Sequence, residues 1–377
     1  IGNENYQTGV LTHIKKLDSD GKVLWDKYTG KGWSPESMAV DNENNLLISG
    51  TLWDYAELDN FIFQKTGPVR NILLIKMDEN GKTHWAKEEG MINWNIGNEI
   101  KVDKKNNIYL VGTASGESVF NGVPLEVKDN AHVFLAKYRP DGEFQWIREG
   151  GIHSRGYSLA IDSNGDCYIA GTIRGTTTFS DGKNSFTLYP PKVETRNGNT
   201  FYDNNIFLGK YTASGELKWV IQTEGNEFGH NYPMSICIDS KDRVYLTGML
   251  MSGYGGTTNI TTFGNFSLSS SYYKVYIARL IDDGTLNIVK PEEGRGLNIF
   301  PNPARNQLNI EYIQNKPVNN IYLRVLNLNG SLIYNEIISG FDGKFFKAID
   351  LSNYSSGIYF VEILAGKERT VQKVVVD

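Results

Sequence analysis

Cysteine is almost absent from this sequence: Cys167 and Cys237 are its only two. Two thiols cannot build a disulfide framework. Each stands in a strand slot where the other copies of a repeat carry Ala, Ile, Leu or Val, so both read as small buried apolar residues. Histidine is scarce too. His13, His84, His132, His153 and His230 are scattered, without H-x-x-x-H spacing, and there is no G-x-S-x-G, P-loop or Cys–His pair. The sequence signatures of zincins, α/β-hydrolases and P-loop NTPases are therefore missing. No apolar run reaches the ~18 residues that span a bilayer as a helix, and the longest, around Ile358–Ala365, is broken by Glu362. Nor is there an excess of positive charge. A formal net charge of −5 leaves no basic footprint for nucleic acid. The DSDG and DENG runs look like pieces of calcium loops, but the later ligands are missing and they read as turns. No metal and no cofactor is expected.

Glycine (39) and tyrosine (21) are plentiful instead, which suits many short strands joined by tight turns. The 377 residues suit two domains. Self-similarity decides the fold of the first. One unit, an apolar strand, a basic residue, a turn closing on Gly and a second strand with Trp, runs from His13 to Trp25, Asn71 to Trp85, His132 to Trp146 and Asn205 to Trp219, with a fifth copy ending at Ile288. Its turn glycines are Gly21, Gly81, Gly142, Gly215 and Gly284, each preceded by Lys16, Lys76, Lys137, Lys210 or Arg279. A second unit alternates with it at Met38–Gly50, Ile100–Gly112, Leu159–Gly171 and Ile236–Gly248, aligned without a gap on Asp41, Asp103, Asp162 and Asp239. Both are period-2 strands around Asp/Asn/Gly turns, which is hairpin chemistry. Paired, they give four antiparallel strands per repeat, and radial repetition of such sheets is a β-propeller.

The "AVD-x-x-G-N-x-Y-x-x-G" and "K-x-x-x-x-G-x-x-x-W" spacing of these runs resembles the NHL-like and SBBP-like β-propeller repeats of bacteria, over about Gly9 to Val289. The resemblance implies architecture and says little of function. It makes the Asp-bearing strand the innermost of its blade. Four blades are then complete, and Val10–Tyr28 is the outer half of another, expected to be completed by residues upstream of Ile1. The repeated Trp residues read as packing between blades, and on that reading Trp85→Ala or Trp146→Ala costs roughly 3–5 kcal/mol. The aligned Lys and Asp read as ties between turns and neighbouring strands.

The turns within hairpins fall on one face of a propeller. The longer connections, Leu52–Arg70, Ala114–Ala131, Ile173–Asn204 and Met249–Lys274, fall on the other, and loops of that length are uncommon without structure or function. The pairs Phe120 with Leu125, Phe179 with Leu188 and Phe263 with Leu268 read as added hairpins clipped to a blade. On this long-loop face Trp33, Trp94, His153, Arg155, His230 and Tyr232 are the ligand-binding candidates, suited to a surface glycan or a protein. The competing reading is that they plug the channel mouth.

Composition changes at Lys290–Gly296, a polar linker, after which strands alternate at Gln307–Ile313, Asn320–Leu328, Ser331–Ile338, Lys344–Ile349, Gly357–Leu364 and Arg369–Val376. Short strands at this density read as an Ig-like antiparallel β-sandwich. The landmarks Pro301-Asn302-Pro303, Val325 to Gly330, Ile349 to Ser352, Ser356 to Val361 and Lys373 to Val376 resemble, in order, the type A C-terminal sorting domain of type IX secretion cargo from Bacteroidetes. Asn327, where that family often has Asp, and the final Asp377, where a basic residue is common, depart from it. The resemblance implies a sorting signal carried by Pro301, Asn302, Pro303, Gly330, Gly357, Tyr359 and Lys373, read by an outer-membrane translocon and a barrel-type shuttle protein. It also implies processing near Glu293, Gly294, Arg295 and Gly296.

The domains expected are therefore 1–289, repeats; 290–296, linker; and 297–377, sorting sandwich. The chain reads as an all-β, non-catalytic protein exported through the periplasm to the cell surface, with adhesion or binding as its role. The alternatives are a structural stalk of a gliding or attachment assembly and a propeller-type carbohydrate-active enzyme.

Overall fold

Alternating apolar strands punctuated by Asp/Asn/Gly turns leave little room for helix, and the computed structural model is all-β. It describes residues 11–376 apart from 66–69, 91–94, 126–130, 190–193, 197–198, 202–203, 226–228, 253–257, 264–265, 281–285, 289–295, 314–317, 342 and 367. Two compact units divide the chain, Ile1–Ile288 and Val289–Asp377.

The first unit opens with a hairpin of Leu11–Leu17 and Val23–Lys31, followed by four sheets built on four antiparallel strands in sequence order, the second of which carries two further strands, Thr177–Ser180 and Ser185–Leu188. The first sheet is Trp33–Val40, Leu46–Leu52, Asn71–Met77 and Thr83–Glu89; the second is Ile96–Val102, Ile108–Ser115, Ala131–Tyr138 and Phe144–Gly150. The third is Ser154–Ile161, Cys167–Ile173, Asn205–Tyr211 and Leu217–Gln222; the fourth is Gly229–Ile238, Val244–Ser252, Tyr273–Leu280 and Leu286–Ile288.

The repeated residues explain the repeated geometry. Each aligned Asp caps its own turn: Asp41 Oδ1 accepts the Glu43 and Asn45 amides at 2.9 and 2.8 Å, and Asp103, Asp162 and Asp239 repeat the pattern. These are Asx-turns, local substitutes for a backbone turn. The Gly closing each second unit is forced by contact. A methyl group at Gly50, Gly112, Gly171 or Gly248 would lie 2.0–2.4 Å from a carbonyl oxygen of the adjacent first strand. Beside those glycines the first strand shifts register by a bulge, between Pro35 and Ser37 in the first sheet and between Gly156 and Ser158 in the third. The bulge re-aims one side chain toward the next sheet. Ser37 Oγ accepts the Ile100 amide at 3.2 Å, Glu99 Oε2 accepts the Ser158 hydroxyl and the Leu159 amide at 2.6 Å, and Ser158 Oγ accepts the Ile236 amide at 2.9 Å.

The outer halves are joined by a second device. The Trp25 ring lies over Gly81, where a methyl would be 3.1 Å away, and Trp25 Nε1 and Lys16 Nζ both donate to the Glu79 carbonyl at 2.9 and 2.8 Å. Trp85 repeats this on Gly142, with Trp85 and Lys76 donating to Pro140. Trp146 repeats the stacking on Gly215, where Lys137 donates to Ala213 and Arg148 to Gly215. The tryptophans are half-buried rather than core residues. They seal a seam, which corrects the expectation of full burial and lowers the cost of removing them.

Apolar clusters fill each seam, from Ile14 against Ile48, Leu73 and Ile75, through Ile72 and Leu74 against Ile100 and Phe134, to Ile206 and Leu208 against Ile236, Leu246 and Phe263. Among the described residues no cluster joins the fourth sheet back to the N-terminal hairpin, and no closed ring is formed. Val275 and Ile277 of the fourth sheet are 74% and 51% exposed, whereas their counterparts Ile72, Leu74, Val133, Leu135, Ile206 and Leu208 are at most 1% exposed. The Phe-bearing connections form added hairpins as expected: Val119–Phe120 with Val123–Pro124, Thr177–Ser180 with Ser185–Leu188, and Asn259–Phe263 with Phe266–Ser270. Phe120, Phe179 and Phe263 are fully buried, and Thr177–Ser180 pairs with the last strand of the sheet before its own.

In the second unit a three-stranded sheet, Gly296–Phe300, Gln307–Ile313 and Lys344–Asp350, faces a four-stranded one ordered Leu332–Phe341, Val318–Asn327, Gly357–Ala365 and Glu368–Val376. The inward residues of both, among them Leu308, Ile310, Ile349, Leu323, Val361 and Val374, form one core. Gly296, expected in the linker, pairs with Ile313 inside the first of these sheets.

Trp146→Ala is expected to lower the stability of the first unit by about 2–3 kcal/mol, roughly half to two-thirds of the cost of a fully buried aromatic. Gly215→Ala should be destabilising as well, since Gly215 has φ +83° and the Trp146 ring would meet the new methyl at 3.0 Å. Urea unfolding followed by tryptophan fluorescence reads both, and parental midpoints would refute the seam.

Candidate functional site

The six candidates of the long-loop face do not converge. Trp33 is fully buried. Its Nε1 donates to the Thr29 carbonyl at 3.0 Å, its carbonyl accepts the Thr12 hydroxyl at 2.6 Å, and its ring packs on Gly50. It pins the N-terminal hairpin to the first sheet and presents no face to a ligand; neighbouring sheets cover it, which its loop-side sequence position did not reveal. Trp94 lies outside the described residues.

The other four lie on the third and fourth sheets. His153 precedes the first strand of the third sheet with φ 64°, half-buried, its ring against Gly175 and its carbonyl accepting the Arg174 amide at 2.9 Å. Arg155 follows on that strand, paired with Thr172 and half-buried. His230 and Tyr232 open the first strand of the fourth sheet, opposite Met251 and Met249. Three residues that sequence reading missed connect them. Tyr157 meets Tyr232 edge to face with ring centroids 6.4 Å apart. Arg174 Nε donates to Asn204 Oδ1 at 2.5 Å, and the Asn204 backbone bridges His230. Asn204 is buried, and among the described residues its Nδ2 has no hydrogen-bond partner. Arg174 and Asn204 stand at strand ends that the repeat alignment treats as variable, so no motif marks them.

Burial and the neighbouring Arg174 charge both hold the His230 imidazolium below its ordinary range. The result is a half-buried patch of two tyrosines, two arginines, two histidines and a buried amide. It can donate hydrogen bonds and stack on apolar or sugar faces.

A second hollow, about 420 Å³, opens among the inner turns and is lined by Asp103, Lys104, Asp162, Ser163, Asp239 and Asp242. Its carboxylates serve the fold. Asp242 accepts both the amide and the hydroxyl of Ser163, and Asp239, held by Arg243 and two backbone amides, sits at about 2. Among the described residues no group of three His, Cys, Asp or Glu side chains is placed to hold a metal ion.

The C-terminal landmarks do converge. Asn302 donates to the Lys373 carbonyl at 3.1 Å and accepts the Val375 amide at 2.9 Å, and the Ala304 amide reaches the Val375 carbonyl at 2.8 Å. The Pro301-Asn302-Pro303 segment, with both X–Pro bonds cis, thus acts as a neighbour to the last strand. Gly330, at φ 79°, closes the turn that Asn327 caps by accepting the Asn329 and Ser331 amides. Tyr359 donates to the Ser355 carbonyl at 2.8 Å. Gly357 opens its strand at φ 158°, a positive value that residues with a side chain rarely adopt, with open space beside it. The Lys373 side chain is exposed. Glu362, which breaks the apolar run of its strand, is 4% exposed and held by Arg369 at 2.5 Å and Arg324 at 3.5 Å. Of the expected processing residues, Glu293, Gly294 and Arg295 lie outside the described residues.

Lowering the pH should destabilise the first unit through His230. Its depressed pKa means that the stabilising neutral form is complete above the unfolded value of about 6.5 and is lost as pH falls through the folded value. His230→Gln should flatten the decline in melting temperature between pH 7 and 5; an unchanged slope would show that His230 does not titrate there.

Comparison with known proteins separates the two units. Among curated protein sequences, none matches the chain. Solved structures include a protein of unknown function from Bacteroides caccae, with 14% identity over 63% of this chain and 96% of that one at a TM-score of 0.23. They also include the Synechocystis apocarotenoid oxygenase, with 9% identity over 97% and 67% at 0.33, and a gluconolactonase from Xanthomonas campestris, with 13% identity over 59% and 86% at 0.23. Scores this low carry no argument about fold or function. Residues 298–377, in contrast, match the family described as Secretion system C-terminal sorting domain. That segment includes Asn302 and the last strand it holds, and it marks the chain as cargo that the type IX secretion system exports, by its C-terminal domain, to the cell surface or beyond.

Proposed function

We propose that the sheets of the first unit are blades of a β-propeller and that the chain is a non-catalytic binding or adhesion protein displayed at the cell surface. The observation that carries this reading is the patch of Tyr157, Tyr232, Arg155 and Arg174 flanked by His153 and His230. Aromatic edges with arginine donors suit recognition of a hydroxyl-rich or anionic glycan, or of a protein carrying one. A structural role in a surface assembly is favoured only if the patch binds nothing.

Export itself is attributed to residues 297–377, read by the outer-membrane translocon and the barrel-type shuttle. The sandwich has its own core, so it should carry a foreign passenger, and its deletion should leave the repeats folded but periplasmic. Because Asn302 holds the last strand through two backbone contacts while the Lys373 side chain stands in solvent, Asn302→Ala should reduce surface delivery several-fold and Lys373→Ala little. Cell fractionation reads both, and surface delivery of the deleted chain would refute the sorting role.

Binding is tested on a glycan array with the exported protein. Tyr232→Ala and Arg155→Ala are expected to lower the signal at least tenfold, a loss of one aromatic or charged anchor. Retention by both variants would exclude the patch.

A further inference from the structure

Two arginines of the patch owe nothing to the repeat. Opposite the residue that follows the closing glycine, where the third sheet has Arg155, the other sheets carry Ser34, Ile96 and Tyr232. Three residues after that glycine, where the third sheet has Arg174, they carry Trp53, Ser115 and Met251. Sheets that stack by the same glycines and bulges therefore do so without either arginine. The pair is nonetheless close by construction. Arg155 pairs with Thr172, and two steps along the same ladder the Arg174 amide donates to the His153 carbonyl. Diagonal neighbours of this kind stand about 7–8 Å apart, within reach of long side chains.

Both arginines are half-buried, and a cation withdrawn from water is costly unless an anion meets it. Arg174 uses its Nε on Asn204 Oδ1 at 2.5 Å. Asn204 is itself 1% exposed, a packed support that leaves the two terminal nitrogens of Arg174 for another acceptor. Among the described residues neither arginine is paired with a carboxylate. Burial and the Arg174 charge disfavour the His230 imidazolium, so at neutral pH the positive charge of the patch rests on the arginines. Beside them Tyr157, set in the bulge between Gly156 and Ser158, meets Tyr232 of the fourth sheet edge to face, and both rings are half-buried. An aromatic face next to two guanidinium forks is the chemistry that takes a sugar ring carrying an anion.

We propose that the ligand of the patch is an acidic sugar, its ring against Tyr232 and its carboxylate or sulfate between Arg155 and Arg174, with Asn204 positioning Arg174. The inference rests on the reading of the patch as a glycan site and narrows it, because a neutral glycan leaves both half-buried cations without a counter-charge.

The test is a glycan array of matched members, uronate-bearing and sulfated oligosaccharides each beside the neutral parent, probed with the full chain. Acidic members are expected to exceed their parents at least about tenfold, the worth of one charge-assisted hydrogen bond, and which of the two series does so assigns the anion. Arg155→Gln and Arg174→Gln should bring acidic members down to the level of their parents. Asn204→Asp, which sets a carboxylate against Arg174, should do the same. Tyr232→Ala should instead weaken the acidic and neutral members of a pair alike. Added salt should narrow the preference of the unaltered chain, a measurement that needs no variant to fold. Equal signals from acidic and neutral members would overturn the inference and leave the glycan site standing, whereas no signal from any member would overturn both. An acidic preference that survives both arginine variants would also overturn it, since the anion would then lie elsewhere.

Discussion

A single backbone carbonyl in the outer turn organises each of the first two seams of the repeat. Glu79 and Pro140 each receive a lysine and an indole N–H from the sheet before, while the indole face rests on the turn glycine two residues on. The glycine is required twice, by its positive φ and by the ring above it. An aromatic spread over a peptide edge buries area without filling a core, so it can be half-exposed and still set the angle between sheets. The inner halves are held by a different contact, the Ser or Glu that the bulge turns toward the next strand. With both ends of a sheet fixed, the apolar side chains between have one way to interdigitate.

The same lysine shows how much context matters at an aligned position. In the third sheet Lys210, although partly desolvated, meets Asp162, Asp166 and the Tyr168 ring, and its charge is strengthened. In the second sheet Lys137 lies over the Tyr109 ring at 4.9 Å and donates to Ala213, yet burial pulls its pKa down. An ion pair repays desolvation better than a ring does. The repeat conserves a donor for the next turn, not a fixed electrostatic environment.

What the sequence disclosed follows from this. Asp41, Asp103, Asp162 and Asp239, the glycines that close each second unit and the Trp–Gly spacing all act through neighbours at fixed offsets, so alignment of the chain with itself exposes them. The fate of Trp33 depends on Thr12 and Thr29 in the preceding hairpin, a packing relation no offset records. The patch residues Tyr157, Arg174 and Asn204 were hidden for the same reason: their meeting is set by how the third and fourth sheets stack. In the sandwich, Asn302 was legible as part of a motif, while its reach to Lys373 and Val375 was not.

Sorting and display impose different demands on the two units, and the residues divide accordingly. The first unit leaves large apolar side chains open at its ends, with Leu24 and Tyr28 on the N-terminal hairpin and Tyr273, Val275 and Ile277 on the fourth sheet. An array whose ends are not polar is one that other β-structure can join. The second unit instead ties down its last strand, by Asn302 from one side and by the full register from Gly357↔Val376 to Ala365↔Glu368 from the other. A terminal strand that would otherwise fray is thereby held in a defined shape. That shape is set by the second unit's own sheets and core, so the order of its last strand follows from residues of the sandwich itself.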